Sequence, residues 1–178
     1  MHLYDYTPPK NNSRLFGIII CLASLGIGPF LFSLIIKELP FKWVFQLISI
    51  ISLTAIIFII TRYIAKNFLY SVVRSDNDGV DFTVTEITNG GRSKITVCRI
   101  SVSGIESAEV FDRNDSNAIQ HQKEIEKKAK KEGRKSFNYC PDINPVQYSI
   151  IIGEECGEKF LIKLTPDEML CEYLGDNR

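Results

Sequence analysis

Two apolar runs, Leu15 to Ile36 and Trp43 to Thr61, contain no charged side chain, and only Lys37 to Lys42 separates them. Each has the roughly 20 residues that carry an α-helix across about 30 Å of hydrocarbon, whereas a soluble core helix would show a polar face. The pair predicts a transmembrane hairpin with spans 15–36 and 43–61. A cleaved signal peptide fits poorly, because the first run exceeds the roughly 7 to 15 residues of a signal h-region. Lys37-Glu38-Leu39-Pro40 also lacks a small-residue cleavage site.

The overall formal charge of zero averages this hairpin with a polar remainder. Residues 62–178 carry 17 Lys and Arg against 19 Asp and Glu, enough chain for one ordinary domain and no basic field that would recommend nucleic acid as a partner. Cys21 lies inside the first run, and Cys98, Cys140, Cys156 and Cys171 are widely scattered. An odd number at wide spacing argues for reduced thiols and a cytosolic domain rather than a secreted disulfide framework.

Residues 1–14 read as a cytosolic N-terminal arm, mobile by composition, with Pro8-Pro9 and Asn11-Asn12. Lys10, Arg14, Arg62, Lys66 and Arg74 flank the hairpin outside, against Lys37 and Lys42 in the loop. That excess predicts a multi-pass protein of the cell membrane with both termini cytoplasmic. Trp43 and Tyr63 bracket the second span at headgroup level.

Gly17, Cys21, Ser24 and Gly28 fall on one stripe of the first helix, and Gln46, Ser49 and Ser52 on one stripe of the second. These stripes are expected to face another helix, the other member of the hairpin first of all, or else a helix of another protein. Neither run contains an ionisable side chain, apart from the Cys21 thiol, to supply a proton or ion relay, which argues against a conduit. Pro29 conflicts with the carbonyl of Leu25 and predicts a kink near residues 26–29.

Residues 62–178 form the soluble part, entered without a flexible linker through the aromatic and β-branched run Phe68 to Val73, which holds the domain against the headgroups. Asp76-Asn77-Asp78-Gly79 is a turn cluster, and Val80 to Thr88 alternates apolar with polar residues. Asn89-Gly90 as a two-residue turn would set Val84 opposite Ile95 and Phe82 opposite Val97. The apolar parity then switches to Cys98, Ile100 and Val102, which implies a bulge or burial on both faces. Ile105 to Phe111 is a further strand. Residues 112–136 are a charged helical insert with a narrow stripe of Ala118, Ile125 and Ala129, solvated by composition and stopping at Gly133. Two more strands, over 147–152 and 159–164, precede Thr165-Pro166-Asp167-Glu168, a capping box that starts a terminal helix with Thr165 as N-cap. The fold class is a membrane α-helical hairpin plus an α+β, mainly-β soluble domain.

The residues Thr61-Arg62-Tyr63 with Tyr70, Asp81 to Val84 through Val97 to Ile100, Asn138-Tyr139-Cys140 and Leu164 to Asp167 give the chain a resemblance. It resembles bacterial membrane proteins of the uncharacterised Gram-positive type, in which a two-helix hairpin precedes a pleckstrin-homology-like domain. The resemblance covers nearly the whole chain and brings no catalytic residues. It implies a bent antiparallel β-barrel of six or seven strands capped by a C-terminal helix, with a docking or scaffold role toward proteins or lipids.

The basic run Lys127, Lys128, Lys130, Lys131, Arg134 and Lys135 is the candidate for contact with anionic lipid headgroups, although Glu124, Glu126 and Glu132 interleave it. No metal-ligand spacing links Cys98, Cys140, Cys156, Cys171 and His121, and neither His2 nor His121 sits in a catalytic motif, so no metal, cofactor or catalytic residue is expected. Gly90-Gly91 joins two strands and is no phosphate loop. The expectation is a non-enzymatic integral membrane protein whose membrane-proximal domain docks a protein partner or its own copy. The alternative is a small accessory subunit of a membrane transporter or envelope enzyme.

Overall fold

The computed structural model describes residues 2–35, 41–75 and 79–175. Ile36, the last residue of the first expected span, residues 37–40 of the expected loop 37–42, and the turn residues Asp76, Asn77 and Asp78 lie outside the described residues. Two compact units result, one of residues 11–66 and one that joins 1–10 to 67–178.

In the first unit, α1 (Asn12–Ile35) runs unbroken through Pro29, and α2 (Lys42–Ile59) continues into a π-helical turn over Ile60–Ile64. Leu15–Ile35 and Lys42–Ile64, at 21 and 23 residues, are long and apolar enough to cross a membrane. Their outer surface is apolar: Ile20, Ile35, Ile50, Ile57 and Phe58 are all exposed, a surface suited to lipid and costly in water.

The seam between α1 and α2 differs from the expected stripes. An alanine Cβ built at Gly26 would touch Ser52 Cβ at 3.4 Å and the Ser49 carbonyl at 3.7 Å, and Phe32 packs beside Phe45. Ser33, Ser49 and Ser52 are buried. Gly17, Cys21, Ser24 and Gly28 are exposed, and nothing lies within 4 Å of a Cβ built at Gly17 or Gly28. Of the second stripe, Ser49 and Ser52 enter the seam and Gln46 stays exposed. The physical reason is that hydroxyls need no partner helix: Ser24, Ser49 and Thr54 each donate to the carbonyl four residues back, at 2.8–2.9 Å.

The second unit begins with a correction to the expected mobile arm. His2–Tyr6 is a strand, β1, antiparallel to β2 (Asn67–Arg74), with Tyr4 opposite Val72 and Tyr6 opposite Tyr70. Tyr4 and Tyr6 pack on the core, which supplies the apolar burial that the polar composition of 1–13 concealed. β3 (Val80–Thr88) and β4 (Ser93–Ser101) complete a sheet ordered β1-β2-β3-β4.

The β3–β4 register also differs from expectation. The turn spans residues 89–92, with Gly90 and Gly91 at φ 64° and 96°, and Thr88 pairs with Ser93. Glu86 therefore faces Ile95, and a bulge at Val97 resets the pairing to Val84 with Cys98 and Phe82 with Ile100. The bulge inferred from the parity switch is present; the two-residue turn is not. Ile95 and Val97, expected opposite Val84 and Phe82, are exposed.

β5 (Ile105–Asp112), β6 (Lys135–Asn138), β7 (Gln147–Glu155) and β8 (Glu158–Leu164) form a second sheet in the order β5-β7-β8-β6, with β6 parallel to β8. The eight strands thus make two four-stranded sheets, and among the described residues no closed barrel forms. β7 and β8 are buried on both faces, and alternation sorts their side chains. Ile151, Phe160, Ile162 and Leu164 join Tyr70, Val72, Phe82 and Val84 in the core between the sheets. Tyr148, Ile150 and Leu161 turn to the opposite face, where Ala118, Ile125 and Ala129 of α3 (Ser116–Lys131) cover them. The insert is therefore a packed third layer, and its narrow stripe is the packing face.

α3 starts on Asp115, whose carboxylate accepts from Asn117 N–H at 2.9 Å. It stops at Gly133 (φ 71°), with Arg134 N–H bonded to the Ala129 carbonyl at 2.9 Å. α4 (Glu168–Gly175) seats Leu170 and Leu174 in the inter-sheet core. Its cap is Asp167, which accepts from Leu170 N–H at 2.9 Å, rather than Thr165. Proline fits the first helical turn only when the cap precedes it, and here Pro166 precedes the cap and merely leads in.

Candidate functional site

The basic run on and after α3 is divided by its surroundings. Lys127, Lys128, Lys130 and Lys131 are exposed in the last turns of the helix. Arg134 is not: the C-terminal turn at Gly133 swings its side chain, only 8% exposed, onto Glu106, Glu132 and the Gly153 carbonyl. Its two terminal nitrogens grip Glu106 in a fork at 3.2 and 2.9 Å. Hydrogen bonding to Glu106 outweighs burial and raises the guanidinium's pKa; Arg134 in turn holds Glu132 below the usual carboxylate range. Lys135 pairs with Glu158 at 2.6 Å. Two of the six expected lipid ligands thus sit in ion pairs, and Arg134 is a structural clamp.

The four remaining lysines lie at a definable end of the domain. Arg134 bonds to Gly153 on β7, and two residues on, Glu155 accepts from Ser101 N–H at the end of β4. Ser101 pairs with Asp81, and Asp81 with Val73. Val73 is six residues along β2 from Asn67, about 20 Å at 3.3 Å per residue. The α3 lysines therefore mark the sheet end opposite Asn67, where the chain returns from α2.

Among the described residues, two cavities border α3. One, of about 350 Å³, lies over β5 and is lined by Glu106, Glu109, His121, Glu132 and Arg134. His121 Nε2 meets Glu109 at 2.9 Å with both side chains about half exposed. The other, about 410 Å³, lies beside the 140–145 loop, lined by Arg113, Lys123, Cys140, Tyr148 and Lys163. There Tyr148 donates to Gln122, and Lys163 pairs with Glu126 and sits 5.5 Å from the Tyr148 ring. Burial pushes Glu126 up, but hydrogen bonds from Lys163 and Gln122 prevail and lower its pKa.

These groups do not assemble a nucleophile with a base. All five cysteines are free thiols. Burial pushes the Cys98 thiol up to about 11 and raises Cys171 as well, the opposite of activation. Among the described residues no cluster of His, Cys, Asp and Glu has the makings of a metal site.

The end of the first sheet at Asn67 has a different character. The chain leaves β1 after Tyr6 and comes back at Asn67 on the adjacent strand β2, so the segment 7–66, with both apolar helices, is the connection of a β1–β2 hairpin. Asn67 pairs with Ile87, and Ile87 with Lys94. The turn 89–92 projects beyond that row, and Arg92, Lys94, Ile95 and Val97 are exposed along it. Ile95 is 60% exposed although it lies in a strand. These residues escaped the sequence reading because the expected two-residue turn put Ile95 and Val97 in the core; Arg92 directly after Gly90-Gly91 was the available signal.

Comparison of the chain with protein-family models, with characterised proteins and with solved structures gives no match.

Proposed function

We propose that this is a non-enzymatic integral membrane protein, a hairpin-anchored β domain that docks a protein partner or a second copy of itself at the membrane surface. The observation that carries the reading is the insertion of two apolar, outwardly exposed helices between hydrogen-bonded strands β1 and β2. An anchor appended to an independent enzyme domain would not need to interrupt its sheet; here anchor and domain share one architecture. Both spans then return the chain to its starting side, so residues 2–6 and 67–175 lie on the same face of the membrane. The excess of Lys and Arg on the outer flanks supports the cytoplasmic face. A pleckstrin-homology-like relationship draws support from the β2-β3-β4 meander and from α4, whose Leu170 and Leu174 plug the core between the sheets.

Site-specific photocrosslinking in native membranes tests the docking role. With a photoreactive residue at exposed positions such as Val110, Lys127, Lys131 and Val146, a discrete adduct of one size at neighbouring positions is expected. Recovery of monomer alone at every position would remove the docking reading. Orientation is checked by thiol labelling: Leu39→Cys should react from outside, and exposed Cys156 only after lysis.

A further inference from the structure

We propose that the β3–β4 hairpin end, built by Arg92, Lys94, Ile95 and Val97, is a bilayer-contact surface that reads anionic lipid headgroups, and that the lysines of α3 are not. The inference rests on the membrane anchoring proposed above and adds to it which face of the domain meets the lipid.

The argument is one of register. Both strands that carry the connection to the apolar helices, β1 through Tyr6 and β2 through Asn67, open at the same sheet end. A domain tethered at two neighbouring points has far less freedom to turn over than one hanging on a single linker. Lys94 stands in the cross-strand row of Asn67, two strand spacings or about 10 Å away. The 89–92 turn projects past this row in the direction from which the chain arrives. Its glycines at φ 64° and 96° leave the tip without bulk, and Arg92 follows at once. Behind the cations, Ile95 and Val97 are exposed apolar side chains on the neighbouring rungs.

Cations at a tip with apolar side chains behind them form the arrangement that an anionic interface rewards twice, through charge and through partial burial. Among the described residues, two acids stand near these side chains, Glu86 opposite Ile95 and Asp5 of β1, whose carboxyl lies close enough to Lys94 to feel its charge, and Arg92 lies beyond both in the 89–92 turn. The α3 cluster is more basic but lies about 20 Å away along the strands, at the opposite sheet end, and its neighbours Arg134 and Lys135 are held by Glu106, Glu132 and Glu158.

Tryptophan quenching by lipids with brominated acyl chains tests this on the full chain. The protein is reconstituted into vesicles of phosphatidylcholine alone or mixed with phosphatidylglycerol. Trp43 is the sole tryptophan and reports on the hairpin in the native chain. In a Trp43→Phe background, Ile95→Trp reports on the β3–β4 end and Ser103→Trp, an exposed position at the opposite sheet end, is the reference. Trp43 is expected to be quenched, and Ile95→Trp more than Ser103→Trp, with a further increase in phosphatidylglycerol. Arg92→Gln and Lys94→Gln should reduce that lipid-dependent part by roughly fivefold per cation at low salt. Replacing Lys127, Lys128, Lys130 and Lys131 by Gln should leave it unchanged. Quenching of Trp43 with equal, weak quenching at positions 95 and 103 overturns the contact surface and leaves the anchoring intact. An unquenched Trp43 overturns the anchoring. Loss of the phosphatidylglycerol dependence in the α3 variant overturns the assignment to the hairpin end.

Discussion

Replacing Gly153 by alanine is expected to destabilise the β domain by about 2 kcal/mol, and the figure follows from three contacts. A Cβ at this position would stand 2.4 Å from the Gly104 carbonyl oxygen, 2.6 Å from Phe160 Cζ and 3.1 Å from Phe160 Cε2. Phe160 is 5% exposed in the inter-sheet core and has little room to rotate away. The Gly104 carbonyl belongs to the backbone of the turn that carries the chain from the first sheet to the second, so relief there must move the start of β5. Overpacking of this kind costs about 1–3 kcal/mol and more when backbone must shift, while alanine returns only about 0.4–1 kcal/mol by stiffening the unfolded chain. The net loss should lower the Tm of the full-length protein in detergent by roughly 8 °C or more, read from the β-sheet circular dichroism. Gly153→Ala combined with Phe160→Leu should recover only part of the loss, because the backbone contact remains. An unchanged Tm for Gly153→Ala would refute the reasoning, since it would mean that the turn into β5 and the Phe160 ring do not lie as close to β7 as these contacts require.

Further outcomes can be checked in the same preparation. Gly26→Leu should wedge α1 from α2 and lower the thermal resistance of the helical hairpin, whereas Gly17→Leu and Gly28→Leu, where nothing lies within 4 Å, should not; thermal loss of helical signal distinguishes them. Tyr4 donates to Asp167 and stacks on Tyr173 at 5.9 Å, which couples β1 to α4. Hydrogen bonding to that carboxylate pushes the phenol up to about 12, so the neutral, bonded form stabilises the fold fully below about pH 10 and is lost as the pH rises toward 12. Stability measured between pH 9 and 12 should fall more steeply for the native chain than for Tyr4→Phe, each having its remaining tyrosines in common. Cys156 holds φ 51° in the two-residue turn between β7 and β8, and Cys156→Asn should raise stability by about 0.5–1 kcal/mol on thermal unfolding. Arg134→Met removes the fork on Glu106 and should cost about 1–2 kcal/mol, discounted because Glu106 is about half exposed and can rehydrate.

What the sequence disclosed divides along the range of the interactions involved. The hairpin, the stop of α3 at Gly133 and the stripe of Ala118, Ile125 and Ala129 are local patterns, and each is legible residue by residue. The bulge at Val97 was visible as a switch of apolar parity, but the turn ahead of it was not, because Asn89-Gly90-Gly91-Arg92 allows both a two-residue and a longer connection. That single ambiguity carried Ile95 and Val97 into the predicted core and hid the exposed end of β4. β1 was missed for a longer-range reason: the alternation of Tyr4 and Tyr6 is there, but the strand it pairs with lies on the far side of both apolar runs. Arg134 shows the same limit, since the Glu106 that engages it lies 28 residues earlier. Of the second stripe Ser49 and Ser52 entered the seam and Gln46 did not, while on the first helix Ser24 bonds to its own backbone and stays exposed.

The pairing of β1 with β2 also sets an order of events during synthesis. β1 is made first and has no neighbour until residues 7–66 have been translated and Asn67 has followed them out. If the two apolar helices insert as proposed, insertion of only one of them would leave β1 and β2 on opposite faces of the membrane, where they cannot meet, whereas insertion of both in either orientation keeps the strands together. Pairing of β1 with β2 then depends on both helices having been placed together, and a chain in which it fails exposes the β2 edge, a template for pairing with another chain.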